Sequence, residues 1–255
     1  MRMAERITSK TNPYVQHVRR LYAERKYRYA CRAFVADGVK LVSEALRWGQ
    51  PEAVLTQQGV DFPVPEGLRH IELPEGLMKS VSRMEAPQGV LAVCRMPEPE
   101  PLRLAPGMLI LDGIQDPGNL GTILRTADAF SVPVLLSDGC ADPYLEKTVR
   151  ATMGSVFRSP PQQAAQAEIL AGLGELPLCV TALTETARDV RELRLSDCLT
   201  VIGSEGRGVS EAFLNAARLQ AIIPMSPHCE SLNAAVAAAV VMWQIQNAKA
   251  RSGEA

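Results

Sequence analysis

Short apolar runs alternate with longer amphipathic stretches along the chain, and the two halves differ in how often they do so. In the first half, apolar runs at 33–36, 53–56 and 90–94 have the length and composition of strands. Helical periodicity covers residues from about 38 to 48 and from about 75 to 86. This pattern predicts a small α/β unit.

The second half contains more apolar runs, with a helical stretch between most of them. The predicted strands lie at 108–111, 132–136, 178–183, 199–202 and 221–223. Strands that alternate with helices in this way are typical of an α/β domain. We therefore expect a parallel sheet in this half of the chain.

A proline-rich segment separates the two patterns. Residues 97–106 contain four prolines, which hold the chain extended and stop a flanking element from continuing through it. The sequence therefore predicts a small domain at 1–96, a linker at 97–106 and a larger domain at 107–255.

Composition restricts the class of protein. The chain has 255 residues, 47% of them apolar, so it can bury a sizeable core. Its six cysteines show no C-x-x-C pair and no zinc-type histidine spacing, which argues against a disulfide framework and a metal site. No apolar signal region follows the first residues, and the longest charge-free apolar run, 234–243, is shorter than the roughly 20 residues of a membrane span. We expect a cytoplasmic protein in which this run forms a buried helix.

Basic residues are concentrated at the N-terminus, although the formal net charge of the whole chain is only −1. Residues 1–32 contain nine Lys or Arg against two Glu, interleaved with four tyrosines. Phosphate attraction combined with aromatic stacking favours RNA binding, for which the candidates are Arg19, Arg20, Arg25 and Lys26. The alternative is a solvated amphipathic helix whose inward residues are Val15, Val18, Leu21 and Tyr22.

Three segments carry most of the candidate chemistry. They span 111–128, 201–208 and 223–234, and each runs from an apolar stretch into a glycine- or proline-marked loop and then towards a helix. Ligand sites of α/β proteins lie where strands end in such loops. The polar candidates in these segments are Asn119, Arg125, Glu205, Ser231 and Asn233.

Local patterns assign a structural position to most of these candidates. We expect Asn119 to cap a helix on which Arg125 lies opposite the apolar stripe. Ser231 is expected to cap the final helix and to leave Asn233 in its first turn. The adjacent His228 and Cys229 are not expected to act as a nucleophile pair, because neighbours in a chain rarely face each other.

The loops also exclude two common ligand sites. None is a G-x-G-x-x-G loop, which disfavours a dinucleotide site, and Gly203–Gly208 lacks the G-K-[ST] ending of a phosphate-binding loop. Since Glu205 would repel phosphate, a neutral or cationic ligand fits this loop better. The alternative is a tight turn whose glycines only supply positive φ.

Taken together, the three segments resemble the three motifs of the SpoU (TrmH-like) branch of the SPOUT RNA methyltransferases. Order and spacing agree, the resemblance covers about 107–247, and residues 150–155 also look like a family segment. The N-terminal half resembles the ribosomal-protein-like RNA-binding domain that often precedes this catalytic domain. The sequence departs from the family at 226–229, where a shorter, glycine-containing link is expected, and at Ala235, where serine is frequent.

The resemblance implies a trefoil-knotted α/β domain that uses S-adenosylmethionine to methylate a ribose 2′-oxygen, first in ribosomal RNA and alternatively in transfer RNA. It implies a homodimer through the C-terminal domain. It also implies that the donor lies near Gly203, Ile223, Met225 and Leu232, while the five polar candidates surround the ribose.

The role that the resemblance implies for Arg125 conflicts with the acid–base chemistry of arginine. The family usually makes this arginine the base, yet a guanidinium stays protonated in proteins. We therefore expect Arg125 to hold the target phosphate and to stabilise the nascent alkoxide; the alternative, action as the base, requires that RNA binding shifts its proton.

Two rival classes of protein fit the sequence less well. A non-catalytic RNA-binding protein on the same fold could discard Arg125 and Asn233, yet both are present. A nucleotide-phosphate enzyme would need a P-loop or a dinucleotide fingerprint, and the sequence contains neither.

Overall fold

The computed structural model describes residues 4–204, 206–229 and 231–252, with side chains up to residue 248. The chain divides into two compact units. The N-terminal unit comprises residues 1–98 and 142–158, and the C-terminal unit comprises residues 99–141 and 159–255. The segment 142–158 therefore groups with the N-terminal unit, although it follows the proline-rich segment in sequence.

The strands are numbered along the chain. They are β1 (Glu5–Arg6), β2 (Ala33–Asp37), β3 (Pro51–Gln57), β4 (Arg69–Leu73), β5 (Val90–Arg95), β6 (Leu109–Asp112), β7 (Val134–Leu136), β8 (Gln162–Gln163), β9 (Leu178–Thr181), β10 (Arg188–Asp189), β11 (Leu199–Gly203) and β12 (Leu219–Ile222).

The α-helices follow the same convention. They are α1 (Pro13–Ala23), α2 (Arg25–Cys31), α3 (Val39–Trp48), α4 (Glu75–Val81), α5 (Pro117–Ala129), α6 (Glu146–Thr152), α7 (Ser155–Arg158), α8 (Gln166–Ala171), α9 (Glu211–Ala216) and α10 (Ala234–Ser252). No described helix is both long and apolar enough to cross a membrane.

A mixed sheet with the order β1-β4-β3-β5-β2 forms the centre of the N-terminal unit. Its β3 pairs in parallel with β4 and antiparallel with β5. Alternate strand residues face opposite sides, so one face packs on α1 and α4 and the other on α3, α6 and α7. The predicted small α/β unit is therefore present.

Helix α1 packs onto this sheet through the inward residues expected of an amphipathic helix. Val15, Val18, Leu21 and Tyr22 are all buried. The hydroxyl of Tyr22 donates to Asp37 Oδ2 over 2.8 Å. Burial raises the pKa of Tyr22 well above its usual value, with a further contribution from the Asp37 carboxylate. Tyr22 therefore remains a protonated donor in the core, and its ring is not available for stacking on RNA bases.

Segment 142–158 is joined to α2 by a buried ion pair. Arg28 donates through Nε and Nη2 to Asp142 Oδ2 over 3.0 and 2.6 Å, and its Nη1 donates to the carbonyls of Leu21 and Tyr22. Asp142 Oδ1 also accepts from Tyr29 OH and Tyr144 N. Because both charges are buried and well bonded, removal of one partner would leave the other uncompensated. Arg28 is therefore a structural part of the basic segment rather than a free cation.

The C-terminal unit contains a sheet with the order β10-β12-β9-β11-β6-β7-β8, and each of its described strand pairs is parallel. Helices α5 and α10 cover one face, while α8 and α9 cover the other. The predicted parallel α/β sheet is confirmed, and the five predicted strands correspond to β6, β7, β9, β11 and β12.

Several predicted elements differ in extent. The helix expected to reach residue 86 ends at Val81, because Ser82 is extended and its hydroxyl donates to Asp37 Oδ2. The apolar run at the start of α10 is buried on one side only. Its Ala238 and Met242 are fully buried, whereas Val236 and Trp243 are about half exposed.

Candidate functional site

Four neighbouring parallel strands end at one edge of the C-terminal sheet. β6 ends at Asp112, β9 at Thr181, β11 at Gly203 and β12 at Ile222. Since the carboxyl ends of parallel strands share an edge, the loops that follow them meet there. All three sequence segments supply loops at this edge: the first contains the loop after β6, the second the loop after β11, and the third the loop that leads from β12 to α10.

A pocket of about 400 Å³ lies at this edge. Its walls come from residues 181–184 at the end of β9, from residues 202–204 and 207–209 around the loop after β11, from Leu214 of α9, and from residues between β12 and the first turn of α10. All four residues expected to hold the donor line this pocket: Gly203, Ile223, Met225 and Leu232. Ser231 lines it as well. A cavity of this size matches ordinary cofactor sites.

Gly203 is fixed by close contact with the loop that follows it. A Cβ placed on Gly203 would lie 2.0 Å from the carbonyl carbon of Gly208 and 2.3 Å from the nitrogen of Val209. The loop returns because Ser204 and Gly208 form an isolated bridge, with Gly208 N donating to Ser204 O over 2.8 Å. Only a residue without a Cβ fits this return, while positive φ is needed at Gly208 and not at Gly203.

The far end of the same loop is held by a buried carboxylate. Asp112 Oδ2, at the end of β6, accepts a hydrogen bond from Ser210 N over 2.8 Å. The loop between Gly203 and Ser210 is thus attached to two adjacent strands. Sequence reasoning did not identify this role for Asp112.

Asn119 and Asn233 are brought together although 114 residues separate them in the sequence. Asn233 Nδ2 donates to Asn119 Oδ1 over 3.0 Å. The pair therefore links the first turn of α5 to the start of α10. This amide pair belongs to the predicted site set, but neither residue is part of the pocket lining.

The expected caps of both helices are wrong in position. Helix α5 is capped by Asp116, whose Oδ1 accepts from Asn119 N over 2.7 Å, because Pro117 occupies the first helical position. Asn119 is therefore in the first turn. Helix α10 begins at Ala234, and Asn233 caps it by accepting from Ala235 N and Val236 N. Ser231 consequently lies before the helix, in the pocket wall.

Arg125 occupies the exposed side of α5, opposite the buried Leu120, Ile123, Leu124 and Ala127, as expected. Within the described part of the chain it makes no hydrogen bond or ion pair, and it lies outside the pocket lining. A fixed charge without a protein partner is available for an anion. Glu205, the remaining predicted site residue, lies outside the described residues.

Residues 181–184 are a part of the pocket that the sequence segments did not include. Thr181 ends β9, and Ala182, Leu183 and Thr184 continue from it along the pocket wall. Thr184 Oγ1 donates to Gln220 Oε1 over 2.5 Å, which ties this loop to β12. Only the order of strands in the sheet could have identified this loop as part of the site. Because β9 lies between β11 and β12, the loop after β9 shares their edge.

The predicted RNA-binding residues lie on α1 and α2 of the N-terminal unit. Arg20, Arg25 and Lys26 are exposed, whereas Arg19 is partly buried and donates to Ser80 Oγ over 2.9 Å. The guanidinium of Arg20 lies 3.8 Å from the centroid of the Tyr27 ring and pairs with Glu24. One face of the Tyr27 ring is therefore covered by the Arg20 guanidinium and is not open for stacking on a base.

Across residues 4–204, 206–229 and 231–252, no group of three or more His, Cys, Asp or Glu side chains is arranged to hold a metal ion. The exposed Cys229 donates from Sγ to Ser231 O over 3.4 Å and lies on a turn closed by Cys229 N and Ser226 O.

Comparison with known proteins adds independent information. Residues 106–243 match the model of the SpoU rRNA Methylase family, and residues 12–92 match that of the MRM3-like substrate binding domain. The chain is 35% identical over 249 residues to the 23S rRNA (guanosine(2553)-2'-O)-methyltransferase RlmP of Bacillus subtilis, an alignment that covers 95% of this chain and 99% of the relative.

Two further proteins extend the comparison. The 23S rRNA (uridine(2479)-2'-O)-methyltransferase of Streptomyces viridochromogenes is 30% identical over 267 residues, covering 94% of this chain and 91% of that protein. The crystal structure of an AdoMet-bound rRNA methyltransferase from Sinorhizobium meliloti superposes with a TM-score of 0.84 at 29% identity, covering 97% of this chain and 98% of that one.

Proposed function

Because this chain belongs to the SpoU rRNA methylase family, we propose that it transfers a methyl group from S-adenosylmethionine to a ribose 2′-hydroxyl in structured RNA, with ribosomal RNA as the first candidate. The observation that carries the proposal is the pocket at the carboxyl edge of the parallel sheet. The family resemblance assigns Gly203, Ile223, Met225 and Leu232 to the donor, and all four line that one pocket.

The chemistry of the pocket fits the donor. Its volume of about 400 Å³ suits a molecule of nucleoside size, and its walls are mostly apolar with hydroxyls at Thr181, Ser204 and Ser231. When bound, S-adenosylmethionine supplies a methyl group that its sulfonium has already activated. Apolar walls such as Ile223 and Leu232 exclude water from the reacting centre.

The protein then has to orient the ribose and support the loss of its proton. Arg125 holds the phosphate of the target nucleotide and stabilises the alkoxide that forms, because a guanidinium donates two parallel hydrogen bonds. The Asn119–Asn233 pair offers amide groups that position the sugar, and Ser231 adds a hydroxyl from the pocket wall. Glu205 is also proposed to lie near the reacting ribose, and this assignment rests on the family resemblance of the sequence alone.

The two parts of the chain divide the work. We assign residues 1–96 to RNA substrate binding, residues 97–106 to the linker and residues 107–255 to methyl transfer. The match of residues 12–92 to a substrate-binding domain supports the first assignment. Arg19, Arg20, Arg25 and Lys26 form the proposed RNA contact, with Arg20 partly neutralised by Glu24.

Family membership also suggests how the catalytic domain is assembled. We propose that the domain is trefoil-knotted and that two copies associate through it in the cytoplasm. The half-exposed Val236 and Trp243 on α10 would then be covered by the second copy. Transfer RNA as substrate, and RNA binding without catalysis, are the alternatives to ribosomal RNA methylation.

Donor binding is the direct test of the proposed function. Ligands that bind only the folded state raise its stability, by about 2.7 kcal/mol at a concentration 100 times Kd. S-adenosylmethionine and S-adenosylhomocysteine should both raise the Tm and give saturable heats in titration calorimetry. Absence of a shift and of binding heat, with and without RNA, would contradict the methyltransferase assignment.

The basic surface can be tested by charge reversal. Deletion of residues 1–32 would also remove Val15, Val18 and Leu21 from the core, so substitution is the cleaner change. Arg25→Glu combined with Lys26→Glu should weaken RNA binding and lower the salt slope by about 0.7 to 0.9 for each phosphate that the protein no longer neutralises. Filter binding at several salt concentrations measures both quantities.

A matched control for this variant lies on the other side of the N-terminal sheet. Lys40→Glu combined with Arg47→Glu changes the net charge equally on α3, where both side chains are exposed. This control should retain more of the RNA affinity and salt slope, and both variants should bind the donor normally. Equal effects of the two double variants would mean that the α1–α2 surface has no special role.

A further inference from the structure

The pocket contains a single charged side chain among its described lining residues, Arg207. The other lining residues are apolar, glycine, serine or threonine. Arg207 follows Gly206 on the loop between Gly203 and Ser210, so it lies at the end of the pocket formed by that loop. Sequence reasoning passed over it, because in a glycine-rich loop an arginine resembles an ordinary solvated residue.

The backbone of Arg207 is fixed although its side chain is exposed. Arg207 N donates to Ser204 Oγ over 3.3 Å, and the next nitrogen, Gly208 N, donates to Ser204 O over 2.8 Å. These bonds, together with the close approach of Gly208 to Gly203, hold the loop against β11. The Arg207 side chain therefore extends from a backbone position that is held beside the pocket.

No protein anion neutralises this guanidinium within the described residues. Arg207 forms no ion pair there, in contrast to Arg191 and Arg218, which pair with Asp189 and Glu175 in the same unit. A cation that lines a pocket whose other described lining residues are uncharged is arranged for an anionic part of the ligand, since a charge-assisted pair gains strength where water is partly excluded.

We propose that Arg207 binds the carboxylate of the methionyl part of S-adenosylmethionine and thereby selects donors that carry an amino acid. This inference rests on the proposed function and deepens it by naming a donor-specificity residue. The rest of the pocket wall offers apolar surface and neutral hydroxyls to the remainder of the donor. The carboxylate is the one anionic group of that molecule, so it is the group that matches the one described cation.

Two ligands that differ only in this carboxylate test the proposal. In calorimetric titrations, wild-type protein should bind S-adenosylmethionine about 10-fold more tightly than decarboxylated S-adenosylmethionine, which corresponds to about 1.4 kcal/mol. Arg207→Gln should lose most of that preference: its affinity for S-adenosylmethionine falls about 10-fold, while its affinity for the decarboxylated ligand changes less than about 2-fold. Arg207→Lys should keep part of the preference, because it retains the charge and loses the planar fork.

Arg103→Gln is the matched control. Arg103 is an exposed arginine of the same unit that does not line the pocket, and the substitution makes the same change in net charge. It should leave both affinities unchanged. The Tm of each variant without ligand shows whether the unit remains folded.

The contrary outcomes are distinct. Equal losses for both ligands in Arg207→Gln would show that Arg207 supports the shape of the loop, and unchanged affinities would show that it does not touch the donor. A change in the salt slope of RNA binding with unchanged donor affinity would assign it to an RNA phosphate. Each of these overturns the inference and leaves the proposed function intact. Failure of the wild-type protein to bind either ligand would overturn both.

Discussion

Arg125→Ala should reduce the single-turnover rate of methyl transfer by roughly 10² or more, because it removes the group proposed to stabilise the developing alkoxide. The side chain lies on the exposed side of α5 and has no partner within the described part of the chain, so its loss should cost little stability. Arg125→Lys should show nearly the same defect, because a single ammonium cannot make the two parallel hydrogen bonds of a guanidinium.

Binding measurements separate this role from a structural one. Calorimetry should give unchanged donor affinity for Arg125→Ala, since the residue lies outside the pocket lining. Arg103→Ala, which removes another exposed arginine of the same unit, should retain the wild-type rate. A near-wild-type rate in Arg125→Ala would refute the role given to it, and would leave Asn119, Glu205 and Asn233 to account for the activity.

Gly203→Ala should abolish measurable donor binding, a loss of roughly 10² or more, because the added carbon cannot be accommodated. It would lie 2.0 and 2.1 Å from the carbonyl carbon and oxygen of Gly208, which are backbone atoms that cannot rotate away. The loop that forms one wall of the pocket must then move by more than an ångström, which disrupts the shape of the pocket that the donor would fill. Titration calorimetry with S-adenosylhomocysteine measures the effect.

Gly206→Ala provides the control on the same loop. A Cβ at Gly206 meets no atom within 4 Å, and this glycine does not require positive φ. Its donor affinity should stay within about 2-fold of wild type, a change below about 0.5 kcal/mol. RNA binding by the N-terminal unit should persist in both variants. Normal donor binding by Gly203→Ala would mean that the pocket described above does not hold the donor.

The sequence predicted the central strands of the parallel sheet, which alternate with helices along the chain. Alternation of apolar runs and helical stretches located β6, β7, β9, β11 and β12, because strands buried on both faces are nearly continuous apolar runs. Short strands at the sheet edges, such as β8 and β10, carry no such pattern and were missed. In the N-terminal unit, β4 was missed because charged residues interrupt its apolar positions.

The site was less accessible to prediction, and for physical reasons. Local propensity placed the caps of α5 and α10 on Asn119 and Ser231, although Asp116 and Asn233 make the capping bonds. Several residues along the chain can cap equally well, and only the geometry of the entering chain decides between them. The pairing of Asn119 with Asn233 and the loop 181–184 depend on strand order, which no local pattern encodes.

Burial also distinguishes arginines of the basic N-terminal segment that the sequence pattern treats alike. Arg28 and Arg25 lie in one basic run, yet Arg28 is buried against Asp142 while Arg25 is exposed. Asp142 is 114 residues away from Arg28, so the charge count alone could not distinguish a core ion pair from a surface cation.

Transfer of a labelled methyl group to RNA is the most direct test of ribose 2′-O-methylation by this protein. Protein, methyl-labelled S-adenosylmethionine and unmodified ribosomal RNA are incubated, with transfer RNA in a parallel reaction, and the RNA is hydrolysed in alkali. Alkaline cleavage needs a free 2′-hydroxyl, so a methylated ribose leaves the next linkage intact. Label is expected in alkali-resistant dinucleotides from ribosomal RNA, and it should be lost with Arg125→Ala. Label in mononucleotides, or no label in either RNA, would contradict it.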